Sequence, residues 1–277
     1  MKFRRPLEKR LDYMSDGNND LGSVWLKFTE KNMGVMRGEG RANHPSRGFV
    51  NAAMEAEFRN RHFNWLDVGT VGMIDYEYFS GTGADFTYTG ADISAPIIED
   101  SKSYLRNDVD RIIKWDISQK LDENTPLEPG EKFDLVTMRH IVNHLSDYVT
   151  AIKNAKNLLA DNGLLIITFH ITLVEKPSEM LYFDGYPTDE PGTVIRHHIS
   201  RSEFFDVVTP LFEISNFTRF KDRGKPNDVV ILRNVENPTG DIPKAHNIQM
   251  RSLIWRITRA TAPKFIRRTG KRILRGR

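Results

Sequence analysis

From Phe63 onward the apolar residues fall into short runs, each followed by a stretch with helical spacing. Residues 65–68, 86–91, a short piece within 109–116, 133–138 and 164–169 predict five strands. Helices are predicted from about Ile74, from about Pro96 to Asn107, through 140–145, and over 148–159. The last is amphipathic and stops at Asp161, Asn162 and Gly163, residue types that end helices. The run 164–169 is apolar almost throughout, as in a strand covered by helices on both faces. Ahead of the first strand, Val50, Met54 and Phe58 share one face of a helix over 48–58. Past the fifth strand, 173–193 reads as an insertion rich in Pro, Gly and aromatics. Residues 200–208 then read as a helix with Ser200 as N-cap and Glu203 completing a capping box. Two strands follow, 212–220 and 228–234, with a hairpin-like connection between them. Strands alternating with helices predict an α/β sheet whose ligand crevice lies at the carboxyl ends of the strands.

The chain is organised around Asp67-Val68-Gly69-Thr70-Val71-Gly72, where an apolar run ends in an acid and two glycines. Gly69 can take a positive φ or a close ligand approach that a Cβ resists. A helix starting just beyond offers unpaired N–H groups to a ligand's polar atoms. Twenty residues past Gly72 stands Asp92, at the end of the next strand. An acid at that place holds the two hydroxyls of a ribose in doubly wound folds. A structural βαβ turn accounts for the glycines alone, but not for the added acid. A nicotinamide-dinucleotide site fits less well, because Gly69-Thr70-Val71-Gly72 lacks the G-x-G-x-x-G spacing.

Composition narrows the classes. The 277 residues suffice for one full domain with appendages, and 39% hydrophobic with 28% charged residues is ordinary for a soluble globular protein. No apolar run approaches the ~18 residues of a membrane span, and the basic start lacks the apolar core of a signal peptide. With no cysteine, disulfides, thiol catalysis and cysteine-held zinc are excluded, and a cytoplasmic protein is the default expectation. Residues 249–277 carry ten Lys or Arg and no acid; against a whole-chain net of +3, the rest of the chain stands at −7. The high pI of the chain is therefore a property of its tail.

The ordered motifs resemble those of the class I S-adenosylmethionine (SAM)-dependent methyltransferases, small-molecule type, over roughly residues 45–235. Residues 65–72 look like the first motif, and Asp92 with Ile93 like the acid that holds the SAM ribose. Trp115, Asp116 and Ile117 resemble the motif that meets the adenine. Residues 133–145 are similar to the family's fourth strand and following helix, and 158–167 to its leucine pair, turn, glycine and apolar strand. The resemblance implies a Rossmann-like, seven-stranded, mostly parallel sheet with a C-terminal antiparallel hairpin and helices on both faces. It implies SAM as cofactor, met by Asp67, Gly69, Gly72, Asp92, Ile93, Trp115, Asp116, Ile117 and Arg139. It implies three parts: 1–48 as a lid and substrate segment, 49–236 as the SAM-binding domain, and 237–277 as a linker and basic tail. The family's acid-x-Gly-x-Gly-x-Gly departs here, with Val71 and Met73 at the second and third glycine places. A non-catalytic SAM-fold binding module is the alternative that this departure motivates.

Methyl transfer to a hydroxyl needs in-line geometry and a general base, and histidine suits that role near neutral pH. His140 and His144, four apart after the fourth strand, share a face if that stretch is helical, and His170 directly follows the fifth strand. These three are the candidate catalytic residues; His197 and His198 stand further along. Packing or a backbone hydrogen bond would equally account for His144. No metal site is expected, since His140 and His144 lack a third ligand. Arg139 is expected to pair with Asp67 or with the SAM carboxylate. Residues 37–47 and 179–191, with Tyr182, Phe183 and Tyr186, are expected to form lid and acceptor pocket. The acceptor is expected to be a small molecule or glycan, methylated at oxygen. RNA or protein as acceptor is weaker, because no Asn/Asp-Pro-Pro-Tyr motif is present. The tail, 252–277, interleaves basic residues with Leu253, Ile254, Trp255, Ile257, Phe265, Ile266, Ile273 and Leu274, which suits an anionic membrane surface at the inner face.

Overall fold

A computed structural model describes residues 45–169, 171–184, 193–222 and 225–249 of the chain. Helix α1 (Pro45–Phe58) leads into β1 (Phe63–Val68), α2 (Ile74–Thr82), β2 (Phe86–Asp92), α3 (Ala95–Lys102) and β3 (Arg111–Lys114). Then come β4 (Phe133–Arg139), a 3-10 turn (Val142–His144), α4 (Tyr148–Leu158) and β5 (Leu159–Phe169). The remainder is β6 (Glu179–Asp184), β7 (Thr193–His198), α5 (Arg201–Val208), β8 (Glu213–Asp222), β9 (Lys225–Arg233) and β10 (His246–Gln249).

The main sheet has the order β10-β8-β9-β5-β4-β1-β2-β3, and β1 to β5 are mutually parallel. Because β1 sits between β2 and β4, the chain reverses direction across the sheet there. The crevice of a doubly wound fold opens at that switch point. Seven of the eight strands are those expected; β9 closes antiparallel against β5 and β8. The eighth, β10, adds a parallel edge beside β8.

Strand alternation explains why the strands read as continuous apolar runs. Leu66, Val136, Met138, Leu165 and Ile167 face a layer formed by Ala151, Ile152, Ala155 and Leu158 of α4 and Phe204, Phe205 and Val208 of α5. Trp65, Leu135, Leu164 and Ile166 face the opposite layer, built from Val50, Met54 and Phe58 of α1 with Tyr76 and Phe79 of α2.

Four local readings differ from expectation. Residues 140–145 are not a helix: only Val142–His144 form a single 3-10 turn, and His140 precedes it with φ 60. Its N–H stays in the ladder, donating to Thr168 O at 2.9 Å, so the chain must swing away through a left-handed residue. His140 and His144 therefore share no α-helical face. The insertion holds an antiparallel pair, β6 with β7, in a sheet of its own. The capping box does not close: Ser200 makes no cap bond, and Glu203 instead accepts from Ser178 N at 3.1 Å. The Ser200 N–H goes to Ser178 Oγ at 2.8 Å, so a residue from the insertion has taken over the cap. Finally, the boundary placed at 48–49 falls inside α1, and β10 extends the sheet past residue 236.

Candidate cofactor and acceptor site

The glycine turn is shaped by two positive φ angles, 83° at Gly69 and 81° at Gly72. Gly69 N donates to Ala91 O at 2.8 Å, which ties the turn to the tip of β2. A Cβ on Gly69 would run into Ile141 Cγ2, so glycine is needed there for space as well as for φ. Met73 N closes a four-residue turn on Thr70 O at 3.0 Å, with Gly72 in the third place that favours positive φ. Val71 is not among the positive-φ residues, so a side chain there costs no backbone strain. Met73, at the third glycine place, keeps φ 47 with its side chain buried. The backbone thus holds a glycine-like shape through a methionine, at a cost of order 1 kcal/mol.

Beneath the turn, Asp67 is buried and fully used by the protein. It accepts from Thr137 Oγ1 at 2.5 Å and from Tyr88 OH at 3.0 Å, and Thr137 in turn accepts from Trp65 Nε1 at 2.8 Å. Burial, then the charge of Asp75, push the Asp67 carboxyl up to about 6. Asp92 lies at the tip of β2 and is buried, with no cation paired to it among the described residues. Ser94 N donates to it at 2.9 Å. Desolvation pushes its pKa up to about 7, against the pull of backbone N–H donors. Ile93 beside it is half-buried, and the fully buried Ser94 hydroxyl has no hydrogen-bond partner among the described residues.

Trp115 N bonds Asp92 O at 3.0 Å, which places the third motif against the second. The Asp116 carboxylate closes its own turn by accepting from Ser118 N at 2.9 Å and Ser118 Oγ at 2.7 Å. Ile117 is buried, and its carbonyl accepts from Asn154 of α4 at 2.7 Å.

Arg139, at the end of β4, pairs with Asp75 at 2.8 Å and not with Asp67. Arg47 of α1 meets the other oxygen of Asp75 at 2.7 Å. Arg139 Nη2 also donates to Asn51 Oδ1 at 3.1 Å. Burial pulls the Arg139 guanidinium below its ordinary pKa, and the Asp75 carboxylate opposes that. Two guanidinium groups thus share one acid, and the buried Arg139 Nε–H has no acceptor among the described residues. A buried guanidinium N–H left without an acceptor beside the glycine turn fits a carboxylate. His140 Nε2 lies 3.5 Å from Ser46 Oγ of α1, longer than a normal hydrogen bond.

The register brings the tips of β1, β2 and β4 side by side, so the glycine turn, Asp92, Arg139 and His140 gather at one end of the sheet. His144, half-buried, ends the 3-10 turn. His170 lies outside the described residues, as do 1–44, 185–192 and the tail from 250. Among the described residues no group of three or more acids and histidines is arranged to hold a metal.

Sequence reasoning missed Asp75, Thr137, Tyr88 and Asn143. The fully buried Asn143 sits between the two histidines. It donates to His197 O at 2.8 Å and accepts from Ile171 N at 3.2 Å, pinning β7 to the exit of β4. A polar residue inside an apolar strand (Thr137) or between two histidines (Asn143) was the only signal available.

A family model described as a methyltransferase domain matches residues 40–204. A ubiquinone biosynthesis O-methyltransferase of Glaesserella parasuis is 29% identical over 104 residues, covering 37% of this chain and 43% of that protein. The chain thus spans less than half the length of that curated relative. A Burkholderia thailandensis 1,6-didemethyltoxoflavin-N1-methyltransferase, solved with its substrate and S-adenosylhomocysteine (SAH), superposes with a TM-score of 0.58 at 16% identity, covering 84% of this chain and 93% of that one. A magnesium protoporphyrin IX methyltransferase of Synechocystis PCC 6803, solved with SAH, gives 0.52 at 14% identity, covering 81% and 99%. At these identities the two structures share the fold.

Proposed function

We propose that this chain, which belongs to the methyltransferase-domain family, is a SAM-dependent methyltransferase whose acceptor is a small molecule or glycan-type compound methylated at oxygen. The observation that carries this reading is His140. It stands at the tip of β4 in a left-handed conformation that costs a non-glycine residue of order 1–2 kcal/mol. Its backbone N–H is held by Thr168 O at 2.9 Å and Thr168 Oγ1 at 3.1 Å. Strain kept at a strand tip beside the glycine turn is placed where a general base is needed.

In this reading Asp92 takes the ribose hydroxyls, the turn from Gly69 to Gly72 admits the methionine portion, and Arg139 binds its carboxylate. Trp115, Asp116 and Ile117 line the adenine side. The cofactor supplies an electrophilic methyl group on a sulfonium. Bound there, it would give that methyl group to the acceptor oxygen and depart as a neutral thioether. His140 Nε2 takes the hydroxyl proton, with His144 and His170 as the other candidate bases. The hairpin β6–β7, pinned by Asn143, forms the acceptor wall. The relatives named above include both O- and N-methyltransferases, so oxygen as the target rests on the histidine.

Calorimetric titration with SAM and SAH tests the cofactor assignment. Micromolar-range binding of both is expected, and a folded protein that binds neither would overturn it. Val71 and Met73 motivate a second reading, a binding module without turnover. The glycine-like φ kept at Met73 weighs against it. Cytoplasmic residence, with peripheral docking on the inner membrane face through the basic tail, belongs to the same proposal. Among the described residues no helix is long and apolar enough to cross a membrane.

A further inference from the structure

Two side chains of α1 reach the end of β4 together. Arg47 and Asn51 stand four apart, on one face of the helix. Asn51 Oδ1 accepts from Arg139 Nη2 at 3.1 Å. Arg47 pairs with one oxygen of Asp75 at 2.7 Å, while Arg139 Nη1 holds the other at 2.8 Å. Asp75 stands in the first turn of α2, just past the glycine turn, where the positive end of a helix favours an acid. Helix α1, helix α2 and strand β4 thus close a ring of four side chains around the buried Arg139 guanidinium. Its Nε–H has no acceptor among the described residues.

Arg47 decides how Asp75 meets Arg139. A carboxylate with both oxygens available takes a guanidinium by two prongs of its fork. Released from Arg47, Asp75 would take Arg139 in that way, in competition with Asn51, and turn the guanidinium within the site. With Arg47 on the second oxygen, Asp75 holds Arg139 by one prong and Asn51 keeps the other.

The same turn of α1 also touches the next residue of β4. Ser46, adjacent to Arg47, puts its Oγ 3.5 Å from His140 Nε2. Further along, α1 is fixed to the body by Val50, Met54 and Phe58 in the core and by Glu57, which pairs with Arg233 at 2.9 Å. Its first turn reaches the crevice through Ser46 and Arg47, where the guanidinium and the imidazole stand side by side.

We propose that Arg47 is a positioning residue for methyl transfer: by holding the second oxygen of Asp75 it keeps the Arg139 Nε–H turned to the cofactor carboxylate, and that carboxylate in turn fastens the first turn of α1 beside His140. Cofactor binding is thereby coupled to the placement of the base. The coupling rests on the reading above that Arg139 receives the carboxylate.

Calorimetry on the full-length protein with two ligands tests it. SAH carries the carboxylate, whereas methylthioadenosine keeps the nucleoside and the sulfur but lacks the amino-acid portion. Arg47→Gln should weaken SAH roughly tenfold or more and methylthioadenosine less than about twofold, as expected when a charge-assisted bond to the carboxylate is lost. Arg47→Lys, which can still meet a single oxygen, should return SAH affinity to within about threefold of the unsubstituted protein. Equal loss for the two ligands would make Arg47 a structural residue and overturn the proposal, as would unchanged SAH affinity.

Amide hydrogen exchange on the unsubstituted protein gives a second readout that does not depend on a variant folding. At saturation SAH should slow exchange across 47–51 roughly fivefold more than methylthioadenosine does. Equal protection by the two overturns the coupling. Failure to bind either ligand strikes the cofactor assignment itself, whereas tight SAH binding with no added protection at α1 refutes only the role of Arg47.

Discussion

Replacing Asp92 by asparagine should make the protein more stable and a poorer binder of its cofactor. The carboxyl is buried, has no cation beside it among the described residues, and is raised from its ordinary 3.8 to about 7, chiefly by desolvation. Where both folded and unfolded states are ionised, that shift costs the fold on the order of 4 kcal/mol. A folded pKa above the unfolded one means that stability is fully present below 3.8 and is lost as pH rises to about 7. Asparagine removes the charge and can still accept from Ser94 N, the 2.9 Å bond that orders the start of α3. Thermal unfolding at pH 8 should therefore show Asp92→Asn more stable by roughly 1–3 kcal/mol, or about 2–4 °C per kcal/mol for a domain of this size. The difference should shrink by more than half at pH 5 and close near pH 4. Asp67, raised to about 6 by burial and Asp75, follows the same sign in both proteins, so the comparison is made between them at each pH. SAH affinity should move the other way, falling by roughly 2–3 kcal/mol, about 30- to 150-fold, if two charge-assisted ribose bonds are lost. A variant that is less stable at pH 8 and binds SAH unchanged would reduce Asp92 to an anchor for the α3 start and remove it from the site.

Three further substitutions probe the same end of the sheet. His140→Gly relieves a φ of 60 and should leave stability unchanged or raised by about 1 kcal/mol, while turnover falls at least about 100-fold; a parallel loss of stability would mean that the imidazole is structural. Arg139→Ala should cost about 3 kcal/mol in denaturant unfolding, and Arg139→Lys should recover most of that without restoring SAM affinity, because a lysine lacks the guanidinium fork. Gly69→Ala should destabilise by about 1–3 kcal/mol, and adding Ile141→Ala should recover only part, because the positive φ remains; full rescue would mean that space alone requires the glycine.

Much of the fold was legible in the chain because its signals are local. Alternation of apolar runs with helical spacing placed β1 to β5, and with them the carboxyl ends of the strands where the crevice opens. What escaped depends on long-range pairing. Arg139 meets Asp75 only because β4 and α2 flank the same turn, and Asp67 meets Thr137 and Tyr88 only through the sheet register. Four-residue spacing suggested a shared helical face for His140 and His144, but the ladder bond from His140 N to Thr168 O turned the chain into a left-handed residue instead. The capping-box pattern at Ser200 and Glu203 was likewise overridden from a distance, by Ser178. The β6–β7 pair escaped because Pro and Gly around it outweighed the β-forming residues of 179–184 and 193–198.

The central claim, methyl transfer to a small acceptor at the His140 tip, is tested most directly by label transfer. The intact protein is incubated with SAM carrying a tritiated methyl group and with fractionated extract, and the label is followed into solvent-extractable compounds, RNA and protein. Label in an extractable compound, bound through an ether linkage and lost with His140→Gly but not with Asp108→Cys, is the expected result. Label appearing in RNA or protein, or transfer that survives without His140, would contradict it.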